Sequence, residues 1–175
     1  MMRVFTEGEL QFDFSSARGA EKADPEAVEL PQDMKFVDFI VEEDTRTLLV
    51  EVKDPSQSPV PERELARYES EIQGDALINL KLVPKARGTY TFLHLMQRDT
   101  REMVYVVVLG IERLHLDPAH LGPFQGRLSR RLRQETAEPW RRPYITHCIV
   151  VSVDTWAAHF PEYPLRRLPS TTRTS

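Results

Sequence analysis

The chain has 175 residues, 41% apolar and 29% charged, with a formal net charge of −4, the proportions of an ordinary folded domain rather than of a disordered or fibrous chain. No apolar run approaches the roughly 18 residues of a membrane span, the N-terminal MMRVFTEGEL lacks a signal-peptide core, and the single cysteine, Cys148, allows no internal disulfide; the expectation is a cytoplasmic protein without a membrane partner. The net charge hides a division: residues 1–80 carry 8 Lys or Arg against 19 Asp or Glu (−11), and residues 81–175 carry 15 against 8 (+7), so either the second half meets an anion or the two halves attract each other on folding.

In chain order, Leu10 to Phe14 (LQFDF) alternates apolar and polar residues as a half-buried strand does. It is expected to be the first strand, with Glu9 and Asp13 as solvated side chains or an extra metal ligand. Ser15 to Asp33 holds Ser, Gly, Pro and many charges, and reads as a loop with at most a short helix over Pro25 to Leu30. Lys35 to Asp54 (KFVDFIVEEDTRTLLVEVKD) then places two apolar runs, Phe36 to Val41 and Leu48 to Val52, around a polar link. Alternate residues of a strand share a face, so Glu51 and Lys53 lie with Leu49, while Leu48, Val50 and Val52 face the other way. A two- or four-residue loop centred between Asp44 and Thr45 pairs Val41 with Leu48, Phe39 with Val50 and Asp38 with Glu51. An odd loop sets Asp38 on the opposite face. In the even register two carboxylates and an ammonium meet among Phe, Val and Leu, a costly placement that a hard cation offsets, because Mg²⁺ takes carboxylate oxygens, water and phosphate. The competing reading is a solvated hairpin edge with a surface ion pair.

Pro55, Pro59 and Pro61 end the second run in an extended connection. Glu62 to Gln73 spaces Leu65, Tyr68 and Ile72 as an amphipathic helix stopped by Gly74; its Arg63 and Arg67 read as surface residues. Asp75 to Pro84 reads as a helix capped by Asp75 that buries Leu77, Leu80 and Val83, and Thr89 to Met96 leans to helix. Met103 to Gly110 (MVYVVVLG) is continuously apolar and β-branched, as in a strand covered on both faces. Ile111 to Gly126 is loop-like, with His115 and His120 too far apart for a helical metal pair. Gly126 to Glu135 is a basic amphipathic helix whose Arg127, Arg130, Arg131 and Arg133 surround Leu128 and Leu132; these arginines are candidates for phosphate contact, against the alternative of a solvated helix face. Tyr144 to Val153 is a further strand holding Cys148 as a core residue, and Asp154 is expected to cap a short helix through His159. Residues 1–165 read as one domain and 166–175, ending in PSTTRTS, as a disordered tail.

Asp38, a turn, and an apolar strand ending in Glu51-Val52-Lys53 resemble the PD-(D/E)XK nuclease superfamily, whose signature is an Asp on one strand and Glu-x-Lys on the next. The Pro that names the motif is Val37 here, and the family's helix-borne acidic residue has no obvious counterpart. The resemblance implies an α/β fold with a restriction-endonuclease-like core, a mixed central β-sheet flanked by helices, in which three antiparallel strands lead through a helix to a fourth strand parallel to the third. It implies a nuclease acting most readily on DNA, with Asp38, Glu51 and the Val52 carbonyl holding Mg²⁺ (Mn²⁺ as substitute) and Lys53 orienting the attacking water and stabilising developing charge. A homodimer or a partner protein would supply specificity. The alternative is a catalytically inactive nuclease-fold subunit that binds nucleic acid or a partner protein and needs no metal.

Overall fold

A computed structural model of the chain describes residues 1–23, 34–57 and 60–169. The expected helix at Pro25 to Leu30, part of the connection at Pro59 and the terminal residues 170–175 lie outside the described residues. The described chain is an α/β structure of three layers, and no described helix is long and apolar enough to cross a membrane.

The central layer grows outward from the hairpin. Strands β4 (Phe39–Glu42) and β5 (Arg46–Lys53) pair antiparallel, Phe39 with Val50, Ile40 with Leu49 and Val41 with Leu48. The Glu43 N–H donates to the Arg46 carbonyl at 2.9 Å, so the turn is the even one; the paired register ends at Phe39 with Val50, and the expected pairing of Asp38 with Glu51 lies just beyond it. Strand β6 (Glu102–Leu109) lies parallel to β5, and β7 (His147–Ser152) parallel to β6. On the other edge β3 (Gly19–Lys22) pairs antiparallel with β4. The five-stranded sheet is therefore mixed, in the order β3-β4-β5-β6-β7.

Two of these strands fall where sequence periodicity is silent or misleading. GAEK has no apolar alternation, yet it forms β3: an edge strand needs one backbone partner, and charged side chains there guard against further pairing. LQFDF is a strand, β2 (Leu10–Asp13), but it joins a separate antiparallel sheet between β1 (Val4–Glu7) and β8 (Leu165–Arg167). Arg166 and Arg167 are thus paired residues, and the folded chain runs past residue 165.

One face of the central sheet, bearing Ile40, Leu49, Tyr105 and Val107, is covered by helices. The other, bearing Val41, Leu48, Val50 and Val106, packs on Leu10, Phe12 and Phe14 of the small sheet and on Trp156 and Phe160. Flanking helices therefore occupy mainly one face, with only the four-residue α4 (Trp156–His159) on the other. The position before α4 falls to Thr155 rather than Asp154.

Helix α1 (Glu62–Gln73) buries Leu65 and Ile72 as its spacing requires. The next helix does not stop at Pro84. A π-helical turn over Ile78–Leu82 runs directly into α2 (Val83–Leu95). Proline lacks an N–H and clashes with the carbonyl four residues back in an α-helix, here that of Leu80, and the widened turn relieves that contact; the Leu82 carbonyl accepts from the buried Tyr105 hydroxyl at 2.9 Å. The extra residue also rotates the helix phase, so Leu77 and Val83 are buried while Leu80, expected inside, is 65% exposed. Helix α3 (Leu121–Arg133) starts before Gly126, with Pro123 tolerated in its first turn, and buries Phe124, Leu128 and Leu132.

Candidate functional site

Beyond Phe39 the regular hairpin ladder ends: the Asp38 N–H donates at 3.1 Å to the carbonyl of Val50, the residue that Phe39 already opposes, and the two strands then part. The Val37 N–H, which would have continued the ladder, donates to the Thr89 hydroxyl of α2 at 2.9 Å. The Val52 N–H, left without a strand partner, donates to Asp38 Oδ2 at 2.7 Å. An extended residue directs its N–H and C=O to the same side, so the Val52 carbonyl faces this same gap. The parting of the strands thus makes a notch lined by a carboxylate and a backbone carbonyl at the C-terminal end of β5.

Glu51 fills the floor of the notch. It is completely buried; Oε1 accepts from Lys53 and, at 3.1 Å, from Lys85, while Oε2 has no partner among the described residues. Burial, reinforced by the charge of Asp38 and opposed by Lys53 and Lys85, pushes its pKa up to about 7. Asp38 is 6% exposed, and its Oδ1 lies 3.4 Å from Lys85 Nζ. A solvated surface ion pair is therefore ruled out: the charges sit in the core.

Asp38, Glu51, Val52 and Lys53 converge: Asp38 is tied to the Val52 N–H, Glu51 to Lys53, and both carboxylates to Lys85. Lys85 is the residue that reasoning from the hairpin missed. Its position was legible in part, because Lys85 and Thr89 are four residues apart on the stripe of α2 that also holds Leu82 and Leu93, and a polar pair on a buried stripe marks a partner across the interface. The two carboxylates face two ammoniums, Lys53 and Lys85, each side chain only 17% exposed, so the cluster is close to neutral without any added ion.

Other candidates lie elsewhere. Asp13 accepts from the Ser15 N–H at 2.9 Å and Glu9 pairs with Arg167 at 3.4 Å; both belong to the small-sheet side, across the central sheet from Glu51. Cys148 packs against the helical core, and desolvation pushes its thiol up to about 12, which leaves it inert. His115 and His120 are exposed.

The arginines of α3 divide. Arg127 joins α3 to α1: Nε donates to Asp75 at 3.0 Å and an Nη to the Ile72 carbonyl at 2.7 Å, with Gln73 and Gly74 carbonyls also in reach. It supplies the C-terminal carbonyls of α1 with a cation and is occupied there. Arg130, Arg131 and Arg133 have no ion pair among the described residues, and Arg130 and Arg131 line a cleft of about 310 Å³ with Asn79, Gln134 and Thr136. Much of the charge division between the halves is internal pairing, as in Arg98 with Glu21 and Glu42, Lys81 with Glu71, and Arg167 with Asp54.

No protein-family model matches the chain, and neither a curated protein nor a solved structure does.

Proposed function

We propose that the chain is a metal-dependent nuclease with a restriction-endonuclease-like core, hydrolysing phosphodiester bonds, with DNA as the first substrate to test. The observation that carries this reading is the buried, same-face meeting of Asp38 and Glu51 beside Lys53, with Glu51 Oε2 left unpartnered. The order of elements supports the reading: three antiparallel strands (β3, β4, β5) lead through helices to β6 parallel to β5, the order that the resemblance implies.

Among the described residues no three His, Cys, Asp or Glu side chains converge, but a hard cation needs only one or two carboxylates beside carbonyl, water and phosphate oxygens. Asp38, Glu51 and the Val52 carbonyl fit that set, and Glu51 Oε2 supplies an oxygen with no hydrogen-bond partner among the described residues. Bound there, Mg²⁺ or Mn²⁺ would acidify a water and neutralise the scissile phosphate. Lys53 stays within reach of Glu51 and presents an ammonium to the attacking water or to the charge that develops on phosphate. The Val52 N–H fixes the Asp38 carboxylate through Oδ2, and Oδ1, held at 3.4 Å by the Lys85 ammonium, is the oxygen that a cation would share or take over. Arg130, Arg131 and Arg133 offer charge to the flanking phosphates.

One observation favours a second reading, an inactive nuclease-fold subunit that binds nucleic acid or a partner protein. Lys85 brings the cluster to charge balance without a cation, and a buried, balanced ion-pair cluster persists for structural reasons alone. The deciding experiment incubates the protein with supercoiled, linear and single-stranded DNA and with RNA, with Mg²⁺ or Mn²⁺, beside Asp38→Asn and Lys53→Ala, and follows thermal melting with and without the metal. Cleavage lost in both variants, with a midpoint raised by Mg²⁺ through mass action, supports the nuclease. Absence of cleavage together with an unmoved midpoint at millimolar Mg²⁺ supports the inactive subunit.

A further inference from the structure

The segment after α3, residues 134–143 (QETAEPWRRP), carries an exposed aromatic among cations. Trp140 is 40% exposed, while the other tryptophan, Trp156, is 1% exposed and donates its ring N–H to the Tyr163 carbonyl at 2.5 Å. Trp140 does not hang on a loose loop. Its backbone N–H donates to the Arg133 carbonyl at 2.8 Å, the Gln134 side-chain amide donates to the Ala137 carbonyl at 3.1 Å, and the Gln134 N–H closes the helix on Arg130 at 3.1 Å. Pro139 and Pro143 restrict the chain on either side.

The charge around the ring is positive and largely uncompensated. Arg130, Arg133 and Arg141 are exposed and carry no ion pair among the described residues, nor does half-buried Arg131. The His94 hydrogen bond holds the Asp99 carboxyl below the usual range, and the charge of Arg142 adds a smaller effect in the same direction. Of the two acids in the segment, Glu135 is turned away to pair with Arg87, which leaves Glu138 alone at the surface. An exposed indole on a hydrogen-bonded backbone, next in the chain to guanidiniums with no ion pair among the described residues, meets the two requirements for holding a single-stranded nucleic acid: a face on which an unpaired base stacks, and cations for the phosphates on either side of it. A duplex supplies the phosphates but keeps its bases stacked on each other.

We infer that Trp140 and the flanking arginines Arg130, Arg131, Arg133 and Arg141 form a stacking platform that binds single-stranded nucleic acid in preference to duplex. This rests on the reading of the chain as a nucleic-acid protein but not on its cutting anything, because the platform shares no residue with the Asp38–Glu51 cluster.

The test titrates the full chain, in metal-free buffer with chelator, with a single-stranded oligodeoxynucleotide, the same sequence as oligoribonucleotide, and the DNA duplex, following tryptophan emission and, independently, anisotropy of a labelled oligonucleotide. The expected result is saturable quenching by single strands, with Trp140→Phe losing the quenching but keeping most of the affinity, and Trp140→Ala weakening single-strand binding by about tenfold or more. Arg130→Gln and Arg131→Gln should each lower the salt slope by about one. Either nucleic acid as the tighter ligand supports the platform and identifies its source. Equal affinity for single strand and duplex overturns it, as does a Trp140→Ala variant of unchanged affinity. Single-strand binding here, with no cleavage in the separate Mg²⁺ and Mn²⁺ assay, leaves the platform standing and removes the nuclease, whereas cleavage in that assay with Trp140→Ala binding unchanged does the reverse.

Discussion

Replacing Glu51 by Gln should stabilise this protein at alkaline pH and leave it nearly unchanged in acid. In the folded chain burial moves the Glu51 carboxyl from an ordinary 4.5 to about 7. Between those values the folded state holds a proton that the unfolded state has released, so stability falls as pH rises, and the loss is complete above about pH 7. At about 1.4 kcal/mol per pH unit, the displacement from 4.5 to about 7 corresponds to ~3 kcal/mol. Glutamine reproduces the shape of the protonated acid and cannot ionise. Glu51→Gln and the wild type should therefore match near pH 4.5, and the variant should be more stable by ~3 kcal/mol at pH 8. Urea unfolding of both proteins at several pH values in metal-free buffer measures this, because subtracting the two curves cancels every shared group that is not coupled to Glu51, leaving Glu51 with its partners Asp38, Lys53 and Lys85. A difference that stays constant with pH, or one in which the wild type gains on the variant as pH rises, would refute the assignment of Glu51 as a buried, reluctant anion. Mg²⁺ extends the same experiment: if the notch takes a cation, millimolar Mg²⁺ at pH 8 should recover the wild type and leave Glu51→Gln where it was.

Three other outcomes follow from the packing. Leu82→Ala should cost about 3 kcal/mol in chemical denaturation while Leu80→Ala stays within about 0.5 kcal/mol, since Leu82 is fully buried and Leu80 is 65% exposed; equal costs would place the π-helical turn wrongly. Gly88→Ala, which on an isolated helix gains about 1 kcal/mol, should here lower the melting midpoint, because the new methyl would run into the Lys35 backbone carbonyl. Arg127→Ala should lower stability by about 1–2 kcal/mol, as loss of charged hydrogen bonds to Asp75 and the end of α1 requires, whereas Arg130→Ala should leave unfolding unchanged and weaken only nucleic-acid binding in a filter or anisotropy assay.

The hairpin shows how far local pattern reaches. Side chains alternate along a strand whatever surrounds it, so once the link between Val41 and Leu48 was even, the meeting of Asp38, Glu51 and Lys53 on one face followed from the sequence. The buried strand β6 and the amphipathic helix α1 were legible for the same reason, each having a period that its own residues express. What surrounds the notch was not legible in this way. Whether LQFDF pairs with the hairpin or with Leu165–Arg167 depends on partners far along the chain, and GAEK becomes an edge strand only because β4 has an open side. Lys85 reaches Asp38 and Glu51 across 47 and 34 residues of sequence, and a proline that reads as a helix stop is instead absorbed by a π-helical turn that sets the phase of α2. The sequence by itself determined which groups share a face within each strand, Glu51 with Lys53, and that they are a poor fit for an apolar surface, while the even turn that brings Asp38 to them is a fact of the structure. Only the tertiary structure decided what neutralises them, because charge compensation in the core acts through space between elements whose separation in sequence carries no periodic trace. The same division explains the arginines of α3: their helical spacing was readable, but that Arg127 is consumed by the end of α1 while Arg130 and Arg131 stay open to a cleft is settled by how the two helices pack.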